Sequence, residues 1–533
     1  MNPLITALMN KLKRCMVIAV FAAFLASVPG RAEVLGTFGE GWVEINGDLK
    51  TLHLKGSEKE MGRQYGFLVG DEILDTLNAL RESAIKEEPK TKYLPSWAFR
   101  GLRRVIGWVW WFTFPKNIKE HIDGIIEGAR LRPDRVKLTR GDLAFFNSII
   151  ELAALFNASA DSIESQVPPA QRLLQVLGLG SIRVNCDSFA AWGSRTVDGK
   201  TFQTRNVDIP TGLGLEKHPL VIIYKPTGKI PFATAAVSGV VGMFTGLNAH
   251  GVGMGQIWAF STKIGVTQPW HLQMREVMMH SRTASEARDR MLKYKKLAYG
   301  SNFVLAGAGP NDGYVIEGNS ERMEWFSSND PRESELKYNG KSVNIPLSEV
   351  VFRGDVSFAP SIRRHQTAAN GPGGDPRQAV SYKKRYQGQS DLILEYEAQG
   401  IKIGKEQAER ISRDTAMRSG SFQVAVYGNT DLEMWVAYSR INDDGTVTQA
   451  YEREYQHVPF FRYLLDRQPE TALFEIRTYR EGRLIEAGQI ARGPVALQAA
   501  IQTARDRASS GDWVEVLDAE GRRLELFAVA HSR

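Results

Sequence analysis

Arg183-Val184-Asn185-Cys186-Asp187-Ser188-Phe189 is the stretch on which the reading of this chain turns. It reads as a strand. A turn at Asp198-Gly199 follows, then a second strand, Phe202-Gln203-Thr204-Arg205-Asn206-Val207-Asp208. The chain has two cysteines, Cys15 and Cys186. Cys15 falls in an N-terminal segment with the pattern of a cleaved export signal, so the mature protein is expected to carry one thiol and no internal disulfide. A lone cysteine opening a hairpin that bears an arginine and an aspartate is a candidate nucleophile.

The expected signal is residues 1–32. Lys11, Lys13 and Arg14 form its charged start, and Met16 to Leu25 is an apolar run too short to span a bilayer. Gly30 and Ala32 supply the small residues for cleavage after Ala32. The pattern predicts a periplasmic or secreted protein; the alternative is an uncleaved signal anchor. Taking Lys11, Lys13, Arg14 and Arg31 away from a net charge of +7 leaves +3. That small excess, with no basic repeat and no interleaved aromatics, gives no reason to expect a nucleic-acid partner.

Beyond the signal, residues 33–185 read as mainly helical after an opening strand pair, Val34 to Leu54. Ser57 with Glu60 forms a capping box, and Met61, Tyr65, Leu68 and Val69 mark one helical face. Helical patterns continue through Ile122–Ala129 and Leu143–Phe156. From Cys186 to residue 467, β-branched runs such as Leu220–Tyr224, Phe232–Val237, Val241–Met243, Val252–Gln256, Phe303–Ala306 and Phe422–Tyr427 alternate with helical stretches around His271–Met279, Ala284–Tyr294 and Glu406–Ser412. The expectation is an α+β layered fold with a mostly antiparallel sheet. Asn370–Pro376 reads as an exposed loop. Residues 468–533 read as a small strand–helix–strand appendage, with its helix at Ala496–Ala508.

A nucleophilic thiol needs a base and a stabiliser for the oxyanion. None of the nine histidines has a spacing that marks it as the base. Gly-x-Ser-x-Gly, His-Glu-x-x-His, the P-loop and the dinucleotide fingerprint are absent, which argues against lipases of the usual fold, zinc proteases, NTPases and dehydrogenases. One alternative needs no histidine. If the Asn185–Cys186 bond is cut, the new α-amine of Cys186, with an ordinary pKa of about 7.7–8.0, can take the thiol proton.

The pattern Asn185-Cys186-Asp187-Ser188-Phe189-Ala190, then Asp198-Gly199-Lys200-Thr201, then Arg205-Asn206-Val207-Asp208 resembles the nucleophile hairpin of Ntn (N-terminal nucleophile) hydrolases. The likeness is nearest to the acyl-CoA:6-aminopenicillanic acid acyltransferase family, with bile salt hydrolases and acid ceramidases as relatives. Gly56–Gly66, Gly246–Gly253 and Gly300–Phe303 followed by Ile316-Glu317 resemble further family stretches in the same order. The resemblance implies a four-layer αββα sandwich, self-cleavage between Asn185 and Cys186, and α and β chains that stay associated. It implies a cysteine-dependent hydrolase or acyltransferase acting on linear amides, with an acyl-amide or acyl-CoA-like substrate and no metal or organic cofactor. By its pattern Cys186 is the nucleophile, Arg205 matches the family arginine, Asp208 matches the aspartate that holds the α-amine, and Asn302 is the candidate oxyanion-hole amide. A count from the glycine turn puts Trp258 where bile salt hydrolases carry a second asparagine. Asn206, Trp258 and Asn248 are candidates for the substrate pocket. The rival readings are a phospholipase B-like lipid acyl esterase with the same site and a non-catalytic envelope binding protein.

Two further expectations bear on the structure. A two-residue turn at Asp198-Gly199 would set Cys186 opposite Thr211, so three residues must bulge out, with Gly193-Ser194 as the place, before Asp208 can meet Cys186. Trp97 to Phe112 has the composition of an interfacial helix, with Arg100, Arg103, Arg104 and Gly107 on one stripe and tryptophans crowding its end, and is a candidate for peripheral membrane contact.

Overall fold

The computed structural model describes residues 33–87, 96–152, 185–211, 214–259, 261–338, 340–366, 382–418, 420–464, 474–480, 483–490, 513–517 and 523–528. The signal segment, the Asn370–Pro376 loop and the Ala496–Ala508 helix expected from the sequence lie outside these residues.

The chain opens with three strands, β1 (Glu33–Phe38), β2 (Gly41–Asn46) and β3 (Leu49–Gly56), where the sequence suggested a pair. Four helices follow: α1 (Glu58–Glu87), α2 (Ser96–Trp111), α3 (Lys116–Leu131) and α4 (Arg140–Phe146). The capping box forms as its spacing predicts. Glu60 accepts from the Ser57 backbone N–H at 2.8 Å, and the Glu60 N–H donates to Ser57 Oγ at 3.3 Å. Helices α1 and α3 meet backbone to backbone. A side chain at Gly66 would put its Cβ 1.9 Å from Ile125 O, and one at Gly128 would sit 2.0 Å from Arg63 O.

Next come β4 (Asn185–Ala191), β5 (Phe202–Asp208), β6 (Pro219–Pro226), β7 (Phe232–Val237), β8 (Thr245–Asn248) and β9 (Gly253–Trp258). Helices α5 (Trp270–Met278) and α6 (Ala284–Lys293) lead to β10 (Ser301–Ala306), β11 (Gly313–Gly318), β12 (Met323–Ser327) and β13 (Val350–Arg353). A helical turn at Tyr382–Gly388 runs into α7 (Gln389–Ala398). Then follow α8 (Lys405–Thr415), β14 (Ser421–Gly428), β15 (Glu433–Tyr438) and β16 (Gln456–Val458). Val241–Met243, expected as a strand, is a loop. Side chains and a helix take its backbone groups: Asn147 Oδ1 accepts from Val241 N at 2.9 Å, and His271 O accepts from Met243 N at 2.9 Å.

Two sheets organise these strands. The ten-stranded one runs β1-β2-β3-β6-β7-β8-β9-β10-β11-β12, antiparallel except where β3 pairs parallel with β6. The six-stranded one runs β13-β4-β5-β14-β15-β16. The N-terminal segment is therefore not only helical: its three strands form one edge of the larger sheet. The sheets face each other. Gln203 Nε2 on β5 donates to Val304 O on β10 at 3.1 Å, and a Cβ on Gly255 would lie 2.6 Å from Ser188 Oγ. α1 packs on β1 to β3, and α8 packs on β5 and β14. One continuous apolar core joins sheets and helices. Four C-terminal strands, at Phe474–Arg480, Arg483–Ile490, Trp513–Leu517 and Arg523–Ala528, form a sheet of their own.

Candidate active site

Strands β4 and β5 pair with Cys186 opposite Val207 and Asn185 opposite Asp208. The extra residues are taken up between Ala191 and Phe202 by two short 3-10 turns, Gly193–Arg195 and Val197–Gly199. Gly193 has φ +65, and a Cβ there would meet Glu349 Oε1 at 2.2 Å, so this corner needs glycine. The shift carries Asp208 one position past Cys186.

That single position decides which side chains meet the thiol. Side chains alternate across a strand, so Cys186, Ser188, Arg205 and Val207 face the other sheet, and Asn185, Asp187, Asn206 and Asp208 face α8. Arg205 Nη2 donates to Cys186 Sγ at 3.2 Å. Asp208 lies on the opposite face. Its contacts are Arg385, held by a short ion pair, and the backbone N–H of Met417 at 3.4 Å. The acceptor on the Cys186 backbone N–H is Asp355 Oδ1, at 3.0 Å. In the uncut chain the holder of this nitrogen is thus Asp355, not Asp208 as the resemblance implied.

The reason lies in the edge of the sheet. β13 pairs with β4 only from Ser188 to Ala191, as far as Arg353. At Gly354 the chain turns away, which leaves the N–H and C=O of Cys186 without ladder partners on that side. Two side chains replace them. Asp355 takes the N–H, and Arg385 Nη1 donates to Cys186 O at 2.8 Å. Arg385 also bonds Asp355 Oδ1 at 3.0 Å and Asp187 Oδ2 at 3.1 Å, so one buried guanidinium gathers three buried aspartates. Neither Asp355 nor Arg385 stood out in the sequence. Arg385 follows two lysines, and only the three-dimensional fold buries it.

Asn302 and Glu317 are cross-strand neighbours on β10 and β11. Together they clamp the segment that carries Asp355. Asn302 Nδ2 donates to Gly354 O at 3.0 Å, and Asn302 Oδ1 accepts from Ser357 Oγ at 2.8 Å. Glu317 accepts from the N–H groups of Phe358 and Ala359, both at 2.7 Å. Arg353 Nε pairs with Glu317 at 2.9 Å.

The remaining candidates have structural partners. Asn206 Nδ2 bonds Asp187 Oδ1 at 3.1 Å and Ser412 O at 2.9 Å, tying the hairpin to α8. Asn248 donates to Met278 O at 2.9 Å and Ser281 O at 2.7 Å and accepts from His250 N and Val252 N, which shapes its own turn. Asn185 Nδ2 lies 3.0 Å from Met417 Sδ. Trp258, by contrast, lines an apolar recess of about 80 Å³. Val207, the cross-strand partner of Cys186, lines it too, with Phe146, Ile149 and Ile150 from the N-terminal segment and Phe244 and Phe422 from the rest.

Electrostatics follow from burial. Burial pushes the Cys186 thiol up; Arg205 pulls it down, and Asp208 and Asp355 push it up again. Burial also pushes Asp208 up to about 7 against the pull of Arg385, with Asp187 adding to the push. Burial works to lower Arg385, and Asp355, Asp208 and Asp187 outweigh it, so the guanidinium stays charged.

No family model and no curated protein matches the sequence. Among solved structures, the chain is similar to a Caenorhabditis elegans ortholog of N-acylethanolamine-hydrolyzing acid amidase, at 14% identity and a TM-score of 0.33, covering 51% of this chain and 100% of that one. It is similar to the penicillin V acylase of Agrobacterium tumefaciens, at 14% identity and a TM-score of 0.30, covering 49% of this chain and 84% of that one. It is also similar to a mutant conjugated bile acid hydrolase of Clostridium perfringens, at 11% identity and a TM-score of 0.32, covering 51% of this chain and 96% of that one. Likeness at this level does not place the chain in a family, and the chemistry is argued from the site.

Proposed function

We propose that the chain is an exported cysteine Ntn hydrolase that cuts itself between Asn185 and Cys186 and then cleaves linear acyl amides. One observation carries this reading. Cys186 has its sulfur on Arg205, its backbone N–H on a buried carboxylate, and an apolar recess beginning at its cross-strand neighbour.

In self-cleavage, Cys186 Sγ attacks the Asn185 carbonyl carbon. The Asn185–Cys186 C–N bond breaks, the nitrogen takes the thiol proton, and Asn185 becomes a thioester. Water hydrolyses that thioester, leaving a carboxylate on Asn185 and an α-amine and thiol on Cys186. Asp355, already the acceptor for this nitrogen, is suited to hold the amine that replaces the amide N–H. The amine takes the thiol proton, and Arg205 stabilises the thiolate. The thiolate attacks the substrate carbonyl, and the leaving amine departs with the proton from the α-ammonium. The acyl-thioester then passes to water or to an acceptor amine. Asn302 has a second Nδ2 hydrogen beyond the one given to Gly354 O, and it is our candidate for one oxyanion contact.

The recess suits an aliphatic acyl group, since nearly every residue that lines it is apolar. Each methylene it buries stabilises the complex by about 0.8 kcal/mol, so kcat/KM should rise about fourfold per added carbon until the recess is full. A thiol attacks lipid acyl esters as well, and the same recess favours that substrate. Paired amide and ester substrates of equal chain length distinguish the two activities. We read the stacked sheets and their outer helices as the αββα sandwich. The parallel β3/β6 ladder, from Thr51–Gly56 to Val221–Pro226, crosses the cleavage point and is suited to keep the two products together.

The test is the intact mass of purified protein. Two chains with a new terminus at Cys186 are expected, along with a Cys186→Ala variant that stays whole. A single uncut wild-type chain without acyl-transfer activity overturns the proposal.

A further inference from the structure

Helix α2 presents an apolar face to solvent. Trp97 is 72% exposed, Val105 64%, Trp108 44%, Val109 58% and Phe112 78%. Their spacings, with open Gly101 between Trp97 and Val105, put them on one stripe of a helix. This is not a core face left over by poor docking, because α2 is anchored by residues on its other side. Arg103 is buried, with Nη2 2.7 Å from Asp142 Oδ1 and Nη1 3.3 Å from Leu77 O. A Cβ on Gly107 would sit 2.0 Å from Gly141 O, and Trp110 and Trp111 are buried. The stripe expected from the sequence is therefore split. Arg103 and Gly107 anchor the helix inward, Trp110 and Trp111 are core, and Trp108 faces out. The outward stripe is a different set.

The charge on α2 itself has one sign. From Ser96 to Lys119 the sequence holds Arg100, Arg103, Arg104, Lys116 and Lys119 and no aspartate or glutamate. Arg100 and Lys116 are exposed, one near each end of the apolar face, and Lys116 also pairs with the half-exposed Glu120 at 3.7 Å. Soluble surfaces seldom keep so many large apolar side chains together without a partner. Tryptophans on a helix bordered by cations suit the boundary between acyl chains and anionic headgroups. No helix among the described residues is long and apolar enough to cross a membrane, so this helix would lie along one. Continuity adds to this. α2 packs on α4, and Phe146 at the end of α4 lines the acyl recess.

We propose that the outer face of α2 docks the protein on an anionic lipid bilayer. Contact rests on Trp97, Val105, Trp108, Val109 and Phe112, with Arg100 and Lys116 on the headgroups. The proposal stands apart from the reading of Cys186, since docking needs no catalysis.

The test is cosedimentation of the full protein with vesicles of phosphatidylcholine alone and of phosphatidylcholine with phosphatidylglycerol. Wild type should pellet with the anionic vesicles, and less so in high salt. The triple variant Trp97→Ser, Trp108→Ser, Phe112→Ser should lose at least about a hundredfold in partition, because each side chain contributes on the order of tenfold. Arg100→Glu with Lys116→Glu should lose only the preference for anionic vesicles. Hydrolysis of a short, soluble amide should be unchanged in both, which reports separately on the active site and on folding. Wild type that stays in the supernatant, or a triple variant that pellets equally, overturns the proposal. So does a wild-type dimer without lipid that the triple variant dissociates, since the face then binds a second copy.

Discussion

At the scale of the residue, Cys186 is held by side chains where a strand neighbour would normally hold it. Ending β13 at Arg353 frees the two backbone groups, and Asp355 and Arg385 take them. Burial holds the thiol up, and Arg205, ahead of Arg385, draws it back down toward ionisation. Arg205→Lys, which loses the flat two-pronged guanidinium, should raise the pH at which Cys186 reacts with iodoacetamide. The pH–rate profile of alkylation checks this, and an unchanged profile removes Arg205 from the site. Asp355 should matter in the opposite direction. A carboxylate beside an amine raises the amine's pKa, and catalysis requires that amine neutral. Asp355→Asn should therefore move the acid limb of kcat/KM to lower pH and cut kcat by about a hundredfold. Asp208→Asn, on the other face, should leave that limb in place.

At the scale of the element, close backbone contact matters more than propensity. Gly128→Ala should cost more than about 2 kcal/mol in a melting experiment, because its methyl would meet the Arg63 carbonyl and rigid backbone cannot give way. Gly101→Ala on α2 is the control. Nothing lies within 4 Å of its Cβ position, so helix propensity alone should stabilise by about 0.5–1 kcal/mol. Element types were largely readable from sequence. The Ser57–Glu60 box, the helices at α5, α6 and α8, and most strands stand where period and capping place them. The exception, Val241–Met243, has a strand-like composition but spends its N–H groups on Asn147 and on His271 O. Register was not readable. A turn type predicts it only when nothing intervenes, and two 3-10 turns at Gly193–Gly199 do intervene.

At the scale of the whole molecule, buried charges bind the segments before and after the proposed cut at Asn185–Cys186. Arg275 Nη2 pairs with Glu58 at 2.5 Å over the Tyr224 ring, and His121 Nδ1 lies 3.3 Å from the same carboxylate. Glu58→Gln leaves the Arg275 charge buried without its partner. It should cost about 3–5 kcal/mol and let the cut chains separate at lower urea. The pH dependence of stability has two sides. Burial lowers His121 and His271 to about 4, so their contribution is present above their ordinary pKa and is lost as pH falls through about 4. Burial raises Glu151 to about 8, and its Oε2 has no hydrogen-bond partner. Its contribution is present below its ordinary pKa and is lost as pH rises through about 8. Glu151→Gln should flatten the fall in melting temperature between about pH 5 and 9 and leave the acid side unchanged.

Much about this protein is local and was determined by the sequence alone. That Cys186 is the one cysteine beyond residue 32 is a matter of composition. The β4–β5 hairpin, the Ser57–Glu60 capping box and the α+β alternation follow from residue type and local spacing. The tertiary structure decided what depends on contacts between distant segments. It put Asp355 and Arg385 on the Cys186 backbone, moved Asp208 to the far face, and sorted α2 into an inner side with Arg103, Gly107, Trp110 and Trp111 and an exposed apolar one. The physical reason is the same in each case. A strand or helix shows in its own pattern which residues share a face, but only the neighbour that packs on that face settles which side is buried and which charge meets which.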